Sequence, residues 1–234
     1  MLEAGNFQEA VDLINKSQNI LITTHQRPDG DACGPVKALS RFLSASGKNV
    51  EYIFLSEIPT WYRFMFDTAP IILGRDIQLD QLKAGRLIEP DLIMILDTNS
   101  NNQLPGFEDY LENKDCPVLV IDHHVTGHGL GDVEVLDSSA AATGLIVYDL
   151  FRYAGWEVDK VTAEALFVAV ATDTGWFQFG NTDSRVLRVC SELIDSGVVP
   201  AQMYRELYQN YSYSRLKLKT TMLNNLQLLL DGRF

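Results

Sequence analysis

The chain has 234 residues, 46% of them hydrophobic and 21% charged, with a formal net charge of −12. That length accommodates one large domain, or one domain plus an appendage. The acidic balance excludes a protein that grips long duplex nucleic acid through a basic stripe, and no apolar run reaches the roughly 18 to 20 residues of a membrane span.

In chain order, the apolar periodicity predicts a helix over 7–16 and a strand over 19–24. Past that strand come His25, then Asp29 and Asp31 around the turn formers Pro28 and Gly30. A helix over 32–46 follows, closed by Gly47 as a left-handed cap. Strands are expected over 50–55 and over 92–97, the second ending in Asp97. A strand over 117–122 runs into Asp122-His123-His124, the most informative triplet in the chain. A further strand is expected over 133–136. Helices are then predicted over 143–153 (closed by Gly155), 161–172 and 182–196, followed by helical segments over 200–209 and 212–230.

Strands alternating with helices favour an α/β fold, a parallel Rossmann-like sheet with helices on both faces. Residues 1–198 are expected to form the catalytic domain. Residues 199–234, with the aromatic and basic cluster Tyr211, Tyr213, Arg215, Lys217 and Lys219, are expected to be a helical connector to a C-terminal domain outside this chain. The cysteines Cys33, Cys116 and Cys190 lack CxxC spacing and are expected as free thiols in a reducing cytoplasm.

Four apolar segments each deliver carboxylate or imidazole at one end, which describes a single polynuclear metal site. In parallel sheets, ligands sit beyond the carboxyl ends of the strands, and the strand-borne candidates all lie there. Asp29 or Asp31 could instead cap the following helix, but that explains only one of them. Asp97 has two oxygens and is suited to bridge two cations. Asp173 sits at a helix C-terminus, where a carboxylate is disfavoured unless a cation is near. His128, in a glycine-flanked loop without a partner at motif spacing, reads as an exposed histidine. Asp29, Asp31, Asp97 and Asp173 bring a charge of about −4 that two divalent ions would balance. The mixed nitrogen and oxygen donor set suits Mn²⁺, in an arrangement that serves phosphoryl chemistry.

In this order the segments resemble the RecJ-like DHH phosphoesterase family. The first motif stands here as His25-Gln26-Arg27-Pro28-Asp29-Gly30-Asp31-Ala32, the second as Asp97, the third as Asp122-His123-His124 and the fourth as Ala171-Thr172-Asp173-Thr174-Gly175. The likeness covers roughly residues 7–190. The run from Asp173 to Phe177, followed by Asn181-Thr182, is similar to the branch containing oligoribonucleases and 3′-phosphoadenosine-5′-phosphate phosphatases. The family commonly carries a C-terminal domain with a Gly-Gly-Gly-His motif, which this chain lacks. The family usually has Gly-Ser or Gly-Thr where this chain has Gly34-Pro35, a proline expected in the first turn of its helix.

The resemblance implies two Mn²⁺ ions, with Mg²⁺ or Co²⁺ as substitutes. His25 and Asp29 would hold one ion and Asp31, His123 and Asp173 the other, with Asp97 bridging. His124 would face substrate phosphate together with Arg27, and Asp122 would orient the histidine pair from behind. The catalytic residues would be His124 and Asp97. The implied partners are short RNA or a nucleotide phosphate, with no long duplex and no membrane, in a cytoplasmic protein compatible with a homodimer. The implied reaction releases 5′-mononucleotides from short oligoribonucleotides, or AMP from a 3′,5′-bisphosphonucleotide. Hydrolysis of linear or cyclic dinucleotides, of pyrophosphate or of polyphosphate, and a silent nucleotide-sensing module, are the other readings.

Overall fold

In a computed structural model, residues 4–125, 127, 129–210 and 212–227 are described. His128, Tyr211 and the end of the tail expected as helix over 212–230 lie outside them.

The helix α1 (Ala4–Lys16) precedes strand β1 (Asn19–Thr24), α2 (Gly30–Ala45) and β2 (Asn49–Phe54). A 3₁₀ segment (Thr60–Met65) leads to β3 (Ile71–Ile72), α3 (Leu79–Lys83) and β4 (Leu92–Leu96). Then come α4 (Glu108–Leu111), β5 (Val118–Asp122), β6 (Val133–Leu136), α5 (Thr143–Ala154), α6 (Lys160–Asp173) and α7 (Ser184–Asp195). The tail forms α8 (Pro200–Tyr204), a π-helical turn (Arg205–Gln209) and α9 (Tyr213–Asn224).

The six strands make one sheet in the order β3-β2-β1-β4-β5-β6, and every pairing is parallel. Strand side chains alternate between two cores, as the period of two requires. Ile20, Ile22, Leu92, Met94, Leu96, Leu119 and Ile121 join the core beneath the long helices. Leu21, Ile93, Ile95, Val118 and Val120 face the opposite core, with Leu82 of α3 and Tyr110 of α4. Both faces are therefore covered, which is why β4 and β5 are fully buried. Among the described residues, no helix is long and apolar enough to cross a membrane.

Capping fixes the helix starts. Asp29 accepts the amides of Asp31 and Ala32, so α2 begins at Gly30, earlier than the pattern predicted. Pro35 is consequently inside the helix and buried, not in its first turn. Asp159 and Asp183 cap α6 and α7 through Thr162 and Val186. Gly47 and Gly155 take the left-handed conformation expected of them. The stretch expected as one helix over 200–209 breaks at Tyr204 into the π turn. α9 buries none of its residues; its Arg215 guanidinium lies 4.4 Å from the ring centre of Trp61.

Candidate active site

The order reverses between β1 and β4: from β1 the sheet grows one way through β2, and from β4 the other way through β5. A crevice opens at such a switch point, beyond the carboxyl ends of the strands. It is a cavity of about 440 Å³ lined by His25, Arg27, Asp29, Asp97, His123, His124 and Asp173, with Gln26, Gln103 and the 98–100 turn.

β1 delivers His25. Its Nδ1 lies 2.7 Å from the carbonyl of Gln26. A carbonyl only accepts, so Nδ1 carries the hydrogen and the Nε2 lone pair is free. That Nε2 stands 3.3 Å from Asp97 Oδ2 and 3.9 Å from Asp29 Oδ1. Arg27, at φ 55°, is held by its amide donating to Ser56 Oγ at 2.7 Å.

Asp97 is the first residue past β4, not its last: at φ 62° it leaves extended backbone while its amide still donates to Ile121 O at 2.9 Å. Asp tolerates this conformation better than most residues. Oδ2 faces His25, whereas Oδ1 lies 3.7 Å from His123 Nε2 and accepts the Thr143 hydroxyl at 2.8 Å.

β5 delivers the triplet, and the two histidines are held differently. His123 Nδ1 donates to Ala140 O at 3.2 Å, and its Nε2 points among Asp31, Asp97 and Asp173 at 3.7, 3.7 and 3.8 Å. His124 Nδ1 donates to Asp122 Oδ1 at 2.7 Å. Among the described residues, Asp122 therefore holds the His124 ring and not that of His123, where the resemblance implied that it orients the pair, and its buried Oδ2 has no hydrogen-bond partner there. The Asp122 carboxylate, followed by Asp97 and Asp173, pushes the His124 pKa up to about 9.

Asp31 is buried at the start of α2, and both oxygens accept backbone amides from the N-terminus of α5, Thr143 at 2.5 Å and Gly144 at 2.9 Å. Burial, then the charges of Asp97 and Asp173, raise its pKa well above the ordinary range. Burial likewise lifts Asp173, at the end of α6, to about 6, against the pull of His123. Among the described residues, no Lys or Arg ion pair reaches Asp29, Asp31, Asp97 or Asp173.

Two glycines let these acids meet. A Cβ on Gly30 would stand 2.1 Å from Thr172 Oγ1, and one on Gly144 2.6 Å from Ala169 Cβ. Past Asp173, Gly175, Trp176 and Phe177 are all left-handed at φ 57°, 57° and 66°. The Trp176 ring packs against Tyr204 and Tyr208 at 5.1 and 5.8 Å.

The ligand atoms therefore gather into overlapping groups. His25, Asp29 and Asp97 form one, Asp31, His123 and Asp173 another, and Asp97, His123 and His124 a third, each within 4.8 Å. Sequence reasoning missed Thr143, Gly144, Ala140 and Asn99. Asn99 fixes the loop after the triplet by accepting Leu130 N and donating to Glu134 Oε1, both at 3.1 Å. For Thr143 and Gly144 a signal existed: a helix opening out of the small-residue run 138–144 can approach other helices closely. Ala140 acts through its carbonyl, which no side-chain pattern reports.

The sequence model described as the DHH family, N-terminal domain, matches residues 19–172. The chain belongs to the DHH family. Among its relatives is the bifunctional oligoribonuclease and PAP phosphatase of Thermus thermophilus, 34% identical over 198 residues, covering 84% of this chain and 56% of that protein. The Bacillus subtilis protein of the same name is 25% identical over 229 residues, covering 96% of this chain and 67% of its own. This DHH chain thus spans little more than half of the Thermus relative. The crystal structure of an exopolyphosphatase-related protein from Bacteroides fragilis superposes with a TM-score of 0.90 at 26% identity, over 98% of this chain and 67% of that one.

Proposed function

We propose that this chain is the catalytic part of a Mn²⁺-dependent phosphoesterase that releases 5′-mononucleotides from very short oligoribonucleotides and dephosphorylates 3′,5′-bisphosphonucleotides. The observation that carries this reading is the pair of ligand groups that share Asp97, one through each carboxylate oxygen. The relatives named for oligoribonuclease and PAP phosphatase activity support the substrate class.

The residues fit a dinuclear centre. Four acids that have no Lys or Arg partner among the described residues, two of them with pKa values raised by burial, are the signature of a site that wants cations. His25, Asp29 and Asp97 would hold one ion, and Asp31, His123, Asp173 and Asp97 the other. Mixed imidazole and carboxylate donors suit Mn²⁺, with Mg²⁺ or Co²⁺ as substitutes. Bound there, such ions would supply neutralisation of phosphoryl charge and a water made nucleophilic at neutral pH.

The chain's own groups supply the rest. His25 and His123 present Nε2 because backbone carbonyls hold their other nitrogens. His124, half-exposed and aligned by its Nδ1 bond to Asp122, is placed to donate toward the phosphoryl oxygen on which charge develops. Arg27 lines the mouth and takes a second phosphate. The partners are short RNA or a nucleotide, the compartment is cytoplasmic, the chain is compatible with a homodimer, and residues 199–234 are a connector.

The test is chelator-stripped protein reloaded with Mn²⁺ and assayed for phosphate and mononucleotide release. The panel is 3′-phosphoadenosine 5′-phosphate, pApA, an RNA trinucleotide, cyclic di-AMP, pyrophosphate and polyphosphate. Turnover of the bisphosphonucleotide and the short RNAs is expected. Release from pyrophosphate, polyphosphate or cyclic di-AMP alone would replace this reading, and no turnover of any of them would refute it.

A further inference from the structure

The loop between β6 and α5, residues 137–142, meets the site from behind, mostly through its backbone. Asp137 N donates to Asp122 O at 3.1 Å, and Ala140 O holds His123 Nδ1 at 3.2 Å. At its far end, Thr143 and Gly144 present their amides to Asp31. Asn181 Nδ2 ties Ala141 O to Asp173 O, each at 3.2 Å. One irregular segment therefore sets the position of Asp31, Asp122, His123 and Asp173 together.

A loop can hold such geometry only if it is itself fastened. Its charged fastening is Arg185 on α7. The guanidinium donates from Nη1 to Asp137 Oδ2 at 2.9 Å, and from Nη2 to Asp149 Oδ2 on α5 at 2.5 Å. The other Asp137 oxygen accepts Ser139 N at 3.0 Å and Ser139 Oγ at 2.5 Å. The Asp137 side chain is 6% exposed and that of Arg185 28%, so the pair is partly shielded from water. A planar fork can span two carboxylates on different elements, which an ammonium point charge does not reproduce. Arg185 does not line the cavity.

We propose that Arg185 is a positioning residue of the metal centre. It locks the 137–142 loop so that Ala140 fixes the His123 ring and α5 presents its first amides to Asp31. This rests on the reading of the site as a dinuclear Mn²⁺ centre. Groups that orient ligands from behind typically contribute 10- to 100-fold in metal affinity. The ion held by His123 and Asp31 meets the loop through Ala140, Thr143 and Gly144, whereas the ion held by His25 and Asp29 is reached from it only indirectly, through the Thr143 hydroxyl on Asp97.

The experiment is calorimetric Mn²⁺ titration of the full, chelator-stripped chain, with thermal melting alongside, for wild type, Arg185→Met, Arg185→Lys and Asp149→Asn. In Arg185→Met one of the two binding events should weaken by about 10- to 100-fold and the other stay within about threefold. Arg185→Lys should rescue only part of that loss. With 3′-phosphoadenosine 5′-phosphate, kcat should fall and KM change little. Asp149→Asn keeps the Asp137 bond and is the milder change, so it carries the test if Arg185→Met does not fold; a weakening of a few fold at the same event is expected. Wild-type affinity for both ions in a folded Arg185→Met, or in Asp149→Asn if only that variant folds, overturns the assignment. Equal weakening of both ions also overturns it. A wild type that takes up no Mn²⁺ overturns the metal reading, and this inference falls with it.

Discussion

Nε2 of His25 stands 3.3 Å from Oδ2 of Asp97, on the opposite side of that carboxylate from His123. Asp97 thus faces both histidines, one with each carboxylate oxygen. Asp97→Asn removes the charge and turns one oxygen into a donor that repels a cation. It should lower the affinity of both ions by at least about tenfold, not of one, which metal analysis after gel filtration checks. Loss of a single ion would show that Asp97 serves only one half.

His124 is distinguished from its neighbour by the buried carboxylate behind it. His124→Ala should keep both ions and lower kcat by about 10² to 10³, the usual worth of a donor to developing oxyanion charge. Asp122→Asn removes the group that most raises the His124 pKa. In metal-free protein, proton NMR should therefore find His124 titrating near 9 in wild type and nearer 6.5 in Asp122→Asn. An unmoved titration would break the link between the two residues.

The same groups set a pH dependence in the chelated protein. Asp31, Asp173, His25 and His124 all have folded-state pKa values raised above their ordinary ones. The folded chain then binds protons more tightly than the unfolded chain. The stability they add is complete below the unfolded values, about 4 for Asp and 6.5 for His, and is lost as pH climbs through the folded ones. Asp137 and Asp159, whose pKa values are lowered, act oppositely but only below the ordinary carboxylate range. Melting in EDTA should therefore fall from pH 5 to pH 9, and Mn²⁺ should flatten the trend by taking the protons' place. A chelated Tm that rises over that range would contradict the charge balance described.

Gly30 tests the packing under the acids. Gly30→Ala drives a methyl group onto Thr172 Oγ1 at 2.1 Å. Overpacking of that kind costs about 1 to 3 kcal/mol and pushes Asp31 away from Asp173, so both denaturant midpoint and Mn²⁺ affinity should drop. Adding Thr172→Ala removes the nearest atom and should recover part of each. If Gly30→Ala is neutral, α2 and α6 are not held as closely as the structure has them.

Much of this was legible in the sequence because it lives in periodicity. The buried strands β1, β4 and β5 read as apolar runs, and the acids and histidines that follow them could be placed at one sheet end before any coordinates. Less visible was whatever depends on a few residues or on the backbone. β3 pairs only Ile71 and Ile72 with β2, too short a run to show alternation. α3 and α4 are single turns whose burial comes from a few side chains such as Leu82 and Tyr110. Asp97 looked like the last residue of a strand because its left-handed backbone leaves no mark on side-chain pattern. α2 starts two residues before the expected Ala32 because Asp29 caps it while its carboxylate also faces His25.

The three left-handed residues Gly175, Trp176 and Phe177 have a consequence for how the molecule breathes. Two of them carry side chains, and each left-handed L-residue costs about 1 to 2 kcal/mol, so this turn is a spring held shut by its rings. Trp176 N donates to Ala171 O at 2.6 Å and Phe167 packs on both rings, while Trp176 against Tyr204 and Tyr208 links the turn to the tail. The segment after Asp173 and the helical turns 200–209 are therefore expected to open together. Amide exchange should give both the same opening free energy, and Tyr208→Ala should lower both together.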